Sequence, residues 1–413
     1  MRQSKMFTKT DRVPPADEPS VNARLLQQAG YTDKLAAGIY TYLPLGLRVL
    51  QRIQQIVREE MLSVGAQELL MPALHPREPW AATGRWQDPG PAVMFQFEAH
   101  GGQAYGLGWT HEEIITPLAR RFIHSYRDLP VAVFQIQDKF RNEPRAKSGL
   151  LRGREFSMKD MYSFHRDAAD LDEFYQRAIG AYQRVFERCG ISAVLTEASG
   201  GAFAKYSHEF QVVTPYGEDI IFRCRGCGYA QNREVSQYAA GDACPKCGQT
   251  FVEEKAIEVG NIFRLGTRFS DAFHLTYLDE RGQSQSVVMG CYGIGPSRVM
   301  GAIAEIHHDE HGLRWPSSVA PFAIHVVALG KEQAVMDRAE TVYQELTDAG
   351  VAALLDDRQG ATAGEKFHDA DLLGIPWRAV VSAKTGAAVE LKARGAKTAE
   401  LLPLEKLVTK IRV

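Results

Sequence analysis

The stretch Lys139–Phe164, KFRNEPRAKSGLLRGREFSMKDMYSF, decides how the rest of this chain is read. It opens on Phe140-Arg141-Asn142-Glu143, crosses a basic segment holding Pro144, Arg145, Lys147, Ser148 and Gly149, and resumes at Arg152-Gly153-Arg154-Glu155-Phe156. The Pro/Lys/Ser/Gly cluster is turn chemistry between two strand-like runs, which predicts strand, hairpin loop and returning strand. Alternation places Arg141 and Glu143 on one face, and Arg152, Arg154 and Phe156 together on one face of the partner strand. An arginine fork beside a carboxylate and an aromatic ring suits a nucleotide: guanidinium on phosphate, carboxylate on an exocyclic amine, ring on a base. The same charges also suit a solvated surface hairpin, and charge pattern alone does not separate the two.

Composition bounds the rest. The 413 residues are 45% hydrophobic and 24% charged, ordinary globular material for two or three domains. With a net charge of −2, a nucleic-acid partner must be met by local basic patches. No apolar run reaches membrane-spanning length, and the first twenty residues lack the apolar core of a signal peptide. Four of the six cysteines stand in two CxxC pairs, which points to a reducing compartment, and the cytoplasm is the expected location.

Working outward from the hairpin, FRxE, a variable loop and RxREF resemble motif 2 of the class II aminoacyl-tRNA synthetases, and SMKDMYSF resembles the bacterial prolyl-tRNA synthetases. AGYTDKLAAGIYTYLPLGLRVL (29–50) resembles the start of the same family. Apolar residues Val49, Leu50, Ile53, Ile56, Val57, Met61 and Val64 predict a helix over Leu47–Val64, stopped at Gly65. Glu68–Pro72 reads as a buried strand ended by proline; helix, strand and proline resemble motif 1, which in that family forms the dimer interface.

Thr110 and Glu112 lie two apart at a helix start, where Thr110 also reads as an N-cap with Glu113 completing a capping box. The resemblance gives this TxE element the substrate's amino group, although Trp109 replaces the family's usual proline. Ser207-His208-Glu209-Phe210 resembles an active-site loop of the family, and His208 reads equally as a structural histidine. Cys224-Arg-Gly-Cys227 and Cys244-Pro-Lys-Cys247, sixteen residues apart, match a zinc ribbon. Four thiolates leave no open coordination position, so the ion implied is structural; a vestigial or redox-active pair is the alternative. In most bacterial relatives a large editing domain follows a CGYAAN-like sequence; here Cys227-Gly-Tyr-Ala-Gln-Asn232 runs on only briefly, and the insertion is read as missing. Met289–Arg298, with CYGIGPSR before an apolar helix, resembles motif 3: glycines admit close backbone approach, and an arginine at a helix start suits a polyphosphate. Glu258, Asn261 and Phe263 match the segment lining the family's ATP and proline sites, with asparagine where histidine is commoner.

Trp315–Pro321 reads as a linker. Beyond it, alternating strands and helices predict a small α/β domain. Its Asp356-Asp357-Arg358 and KFHDADLLGIPWR resemble the class IIa anticodon-binding domain.

The chain is thus expected to be α/β (α+β): a class II antiparallel-sheet catalytic core over 1–318, with a small zinc-ribbon-like insertion of four cysteines at 223–256 in place of the editing domain, and a C-terminal α/β anticodon-binding domain over 319–413. The resemblance implies prolyl-tRNA synthesis from L-proline, ATP with Mg²⁺, and tRNA(Pro), in a homodimer with no membrane partner and a separate trans-editing deacylase. Arg141 and Arg298 are the expected catalytic pair. Arg141, Glu143, Arg152, Phe156, Glu258, Asn261 and Arg298 would hold ATP. Thr110, Glu112, Arg141, Met158, His208 and Phe263 would hold proline; Arg145, Lys147 and Arg358 would meet tRNA. The alternatives are a paralogue that adenylates an amino acid for a non-tRNA acceptor, and a non-catalytic tRNA-binding regulator.

Overall fold

The strands on either side of the deciding loop, Val131–Phe140 and Glu155–His165, pair antiparallel from Val131↔Phe164 to Phe140↔Glu155. They belong to a computed structural model that describes residues 1–15, 18, 20–201, 203 and 206–411. Two compact units result, one of residues 1–35, 40–52 and 303–413, the other of 36–39 and 53–302.

In the second unit a nine-stranded sheet runs in the order Tyr206–Val213, Ala193–Ser199, Ala230–Asn232, Asp219–Cys224, Phe251–Gly266, Val288–Ile294, Glu155–His165, Val131–Phe140, Gln67–Glu68. Tyr206–Val213 also pairs with Phe251–Gly266, so five strands close on themselves. Adjacent strands are antiparallel except at Ala230–Asn232 with Ala193–Ser199 and Gln67–Glu68 with Val131–Phe140. The helix Ala168–Arg188 is capped by Asp167, whose carboxylate accepts from Asp170 N at 2.9 Å. It buries Leu171, Phe174, Tyr175, Tyr182, Val185 and Phe186 against the sheet, an apolar stripe at helical spacing. The opposite side of the sheet is open around the cavity described below.

Two local expectations are corrected. The hairpin is not extended to its tip. Strand pairing stops at Phe140 and Glu155, Ser148 and Gly149 take left-handed φ of 62° and 63°, and Gly149–Leu151 forms a 3-10 turn with Leu150 and Leu151 buried. Without alternation, Arg154 turns away from its neighbours. Its guanidinium donates to the carbonyls of Glu143 (3.0 Å) and Ala37 (3.1 Å), and its amide to Gly38 O (2.7 Å). Gly38 is required here, at φ +74° and with a Cβ position 2.6 Å from Ala146 Cβ. The stretch Glu68–Pro72 is strand only over Gln67–Glu68, and Leu70 is exposed. Side chains replace a ladder partner at Met71: its amide donates to Gln135 Oε1 and its carbonyl accepts from Gln137 Nε2. The preceding helix spans Pro44–Ser63, with Gly65 at φ +87° as its stop.

In the first unit a five-stranded sheet runs Ala353–Asp356, Ile324–Leu329, Trp377–Ser382, Val389–Ala393, Glu400–Leu402, parallel over the first three strands and antiparallel over the rest. Helices Gln333–Asp348, Ala363–Leu373 and Leu404–Ile411 accompany it. The proposed linker is not loose: Trp315, Val319 and Ala320 are buried, and the Trp315 ring packs 5.3 Å from that of Tyr31. Proline-rich composition here marks a turn held by core side chains. No helix among the described residues is long and apolar enough to cross a membrane.

Candidate active site

The open face of the nine-stranded sheet carries a cavity of about 450 Å³. From the deciding stretch it receives Arg141, Glu143, Arg152, Phe156 and Met158; from Phe251–Gly266, Glu258, Asn261 and Phe263; and from the start of the helix Pro296–Ile306, Arg298. Thr110 completes the set. Arg141 and Arg298, 157 residues apart in sequence (298 − 141), thus meet because hairpin, central strand and glycine-rich strand are neighbours in the sheet.

Arg141 lies with its guanidinium 5.1 Å from the Phe156 ring centroid, and its backbone amide donates to Arg154 O at 2.8 Å. Its Nε is buried with no hydrogen-bond partner. Burial first, then repulsion from Arg298, pushes its pKa down to about 10. A cation so placed is short of counter-charge, which an oxyanion in the cavity would supply. Arg298 Nη1 donates to Glu258 Oε2 at 2.8 Å and to Glu258 O at 3.2 Å. Arg152 pairs with Glu143 at 2.8 Å and reaches Glu218 at 3.6 Å; Lys147 joins Glu218 at 3.3 Å, so Glu218 gathers the loop. Arg145 is exposed on the same loop.

Behind Thr110 the capping-box reading fails. The helix Glu112–Ala119 takes His111 as N-cap without a side-chain cap bond. Thr110 Oγ1 instead donates to Glu112 Oε2 at 2.5 Å, and Glu113 pairs with Arg85 at 3.0 Å. Glu113, the carboxylate that the capping box needed, is drawn to the buried Arg85 guanidinium, a stronger partner than a backbone amide. Thr110 lines the cavity, while Glu112 is fully buried one layer behind it. His208 lies outside the lining: its Nδ1 meets Tyr175 Oη at 2.9 Å, its ring packs edge-on to Tyr175, and burial lowers its pKa.

Several lining or supporting groups carried no sequence signal that singled them out. Lys139 and Asp160 form a buried pair at 2.8 Å, and Tyr162 Oη and Gln135 Nε2 donate to Asp160, each at 2.9 Å. Asp219 lines the cavity and Glu209 does not, although the strands that carry them both pair with Phe251–Gly266. Burial first, then Glu258, pushes the Glu209 pKa up to about 8. Gln211 Nε2 bridges the two carboxylates, at 2.8 and 3.0 Å.

Apart from the cavity, the four CxxC sulfurs lie within 4.8 Å of one another. Cys224 and Cys247 are 3.4 Å apart, Cys227 and Cys244 3.7 Å. The amides of Gly226 and Lys246 point at the sulfurs of Cys224 (3.3 Å) and Cys244 (3.4 Å). In the first unit, Arg358 is clasped by Asp356 and Asp369, each at 2.7 Å, which raises its pKa.

A hairpin and glycine-rich strand on an antiparallel sheet, opening on an arginine pair, define a class II aminoacyl-tRNA synthetase core. Residues 95–307 match the tRNA synthetase class II core domain (G, H, P, S and T), and 323–413 match the anticodon binding domain. The chain is 36% identical to the proline--tRNA ligase of Exiguobacterium sibiricum, over 100% of this chain and 99% of that one, and 34% identical to that of Dehalococcoides mccartyi, over 100% and 98%. By this evidence the chain belongs to the prolyl-tRNA synthetase family. A prolyl-tRNA synthetase of Cryptosporidium parvum, solved with halofuginone and AMPPNP, shares the fold at a TM-score of 0.79 and 18% identity, covering 95% of this chain and 76% of that one. One of Giardia lamblia, in complex with prolyl-adenylate, does so at 0.77 and 21%, covering 93% and 74%.

Proposed function

We propose that this chain activates L-proline with ATP to prolyl-adenylate and transfers the prolyl group to tRNA(Pro). The observation that carries this reading is Arg141, with its buried, unpartnered Nε over Phe156, in one cavity with Thr110 and Arg298. In the first step a proline carboxylate oxygen attacks the α-phosphorus and the α–β bridging bond breaks, releasing pyrophosphate. Arg141 neutralises charge on the α-phosphate, Arg298 and Arg152 hold the distal phosphates, Phe156 stacks on adenine and Glu143 accepts from its amine. In the second, the tRNA terminal 3′-hydroxyl attacks the mixed anhydride and AMP leaves. Positioning and electrostatics suffice for both steps.

Thr110 meets the proline ammonium, backed by Glu112, while Met158 and Phe263 enclose the ring. Glu258, Asp219 and Asn261 suit Mg²⁺: they are hard oxygen ligands, and Asn261 Oδ1 is buried without a partner. When bound, Mg²⁺ supplies charge neutralisation of the polyphosphate. Residues 1–318 form the catalytic portion and 319–413 the anticodon-binding portion, in a cytoplasmic homodimer. Exposed Leu62, Leu70, Leu74 and Phe97 near the motif 1 segment support the pairing of chains. Arg145 and Lys147 face the tRNA from the catalytic portion, and Arg358, clasped by two carboxylates, meets tRNA on the anticodon-binding portion. A paralogue with a non-tRNA acceptor has no use for an anticodon-binding domain, and a binding regulator none for Arg141 and Arg298. Prolylation of tRNA(Pro) tests the choice: the reading predicts proline ester at the terminal adenosine, and activation without transfer would favour the paralogue.

Cys224, Cys227, Cys244 and Cys247 suit a structural zinc, since sulfurs of a tetrahedral site lie about 3.8 Å apart. Metal analysis is expected to give one zinc per chain, lost in Cys244→Ser; no zinc in the wild-type protein purified under reducing conditions would contradict the assignment.

The alignment with the Exiguobacterium relative runs over 561 positions against 413 residues here, which supports a segment of that relative having no counterpart in this chain, read here as the editing domain. Alanine fits any pocket that admits proline, and a lost methylene discriminates by only about 10- to 200-fold. The chain is therefore expected to form alanyl-tRNA(Pro) and to leave it intact, with correction by a separate deacylase. Enzyme-dependent hydrolysis of preformed alanyl-tRNA(Pro) would overturn this.

A further inference from the structure

Three ionisable side chains are shut away behind Thr110. Arg85 is 1% exposed, and Glu112 and Glu113 are fully buried, so one cation faces two anions in a site closed to bulk solvent. The cation is not shared evenly. Arg85 Nη1 lies 3.0 and 3.1 Å from the two oxygens of Glu113 and 3.4 Å from Glu112. Thr83 Oγ1 adds a second bond to Glu113 at 2.9 Å. Arg85 Nε and Nη2 have no hydrogen-bond partner, and the guanidinium carbon Cζ lies among the rings of Trp80, Trp109, Phe203 and Phe269, 4.4–5.5 Å from their centroids. Glu112 is held instead by neutral donors, Thr110 Oγ1 at 2.5 Å and Cys291 Sγ at 3.1 Å, and both of these residues line the cavity. The uncompensated negative charge of the trio therefore sits at its cavity end.

We infer that Arg85 and Glu113 are positioning and specificity residues: Glu113 engages Arg85 so that Glu112 keeps its charge for the secondary ammonium of the substrate. This rests on the reading that the cavity activates proline. The physical reason is charge count in a dry site, where a buried cation left without its own partner turns to the nearest carboxylate. If Glu113 becomes neutral, Arg85 is expected to neutralise Glu112, and the ammonium loses the field that draws it behind Thr110.

Glu113 is suited to change state. Burial first, opposed by Arg85 and reinforced by Glu112, pushes its pKa up to about 7. The other charged groups on elements packed around it have partners of their own: Lys139 pairs with Asp160, and Asp271 accepts from Thr267 and Ser286. Arg268 reaches Phe203 O. His111, adjacent on the chain, meets Lys139 and Pro72 O. Proline keeps both its charges from pH 6 to 8, so a change in its affinity across that range reports the protein.

The test is a charge-balance cycle read by proline-dependent ATP–pyrophosphate exchange. Glu113→Gln is expected to raise the proline KM on the order of tenfold, with ATP KM and kcat within about twofold. Adding Arg85→Met removes the surplus cation and places a thioether among the rings, so the double variant is expected to recover proline affinity to within about threefold of wild type. A purely structural role predicts the reverse order, the double variant being the worse. In the wild-type protein the proline KM is expected to rise as pH falls below about 7, and Glu113→Gln to flatten that dependence. No recovery in the double variant, or an equal rise in the ATP KM, would overturn the inference. Should Glu113→Gln alone fail to fold, the double variant keeps the test, and a proline KM more than about tenfold above wild type in it would overturn the inference. Wild-type exchange that does not depend on proline would instead remove the reading of the cavity itself.

Discussion

Replacing Arg141 with alanine is expected to lower proline-dependent ATP–pyrophosphate exchange by roughly 30- to 1,000-fold, the equivalent of about 2–4 kcal/mol of transition-state stabilisation. The basis is the state of its guanidinium. It sits among Arg298, Glu258 and Glu143 with its Nε buried and unpartnered, and its pKa is depressed by burial and by Arg298. A group in that condition contributes little to the fold and is stabilised by an incoming oxyanion. The thermal midpoint of Arg141→Ala is therefore expected to stay near wild type while exchange collapses. Exchange within threefold of wild type would remove Arg141 from the chemistry.

Asp160→Ala is expected to do the opposite, costing about 3–5 kcal/mol of stability because a buried ion pair loses one partner. Burial pushes the Asp160 carboxyl up, and Lys139, His111 and Gln135 outweigh it and hold it below its ordinary range. Without it, Lys139 is left as a buried ammonium and Tyr162 Oη and Gln135 Nε2 lose their acceptor. Burial already lowers the Lys139 pKa, and Asp160 opposes that. In the variant the folded lysine titrates still lower than the unfolded one, so the unfolded chain binds more protons. The stability deficit is then expected to shrink as pH rises from neutrality toward the ordinary lysine range. Denaturant unfolding at pH 7 and pH 9 checks both statements; a loss below about 1 kcal/mol at pH 7 would show that the buried pair contributes no more than a surface one.

How much of this was legible in the sequence depends on how local each signal was. The alternation of strands and helices after residue 324 needs only period and turn chemistry, and the small α/β arrangement expected there forms. The two CxxC turns are likewise local, and their sulfurs converge. Arg141, Phe156 and Arg298 were legible because their motifs fix backbone geometry as well as residue type. Arg154 was not: whether it faces a ligand or a carbonyl depends on Ala37 and Gly38, more than a hundred residues away in the chain. The Thr110 capping box failed for a related reason. A buried guanidinium, Arg85, competes for Glu113, and no periodicity announces that an isolated arginine between two tryptophans will be enclosed. Asn261 and Glu258 were found by resemblance, whereas Glu209 and Asp219 become visible only when strands distant in sequence lie side by side.

The most direct measurement is ATP–pyrophosphate exchange by the purified protein with each of the twenty amino acids in turn. We expect exchange that requires proline, weaker exchange with alanine, and none above background with the larger or acidic amino acids. Exchange led by another amino acid, or none at all with ATP and proline at saturation, would contradict the assignment of this cavity to proline activation.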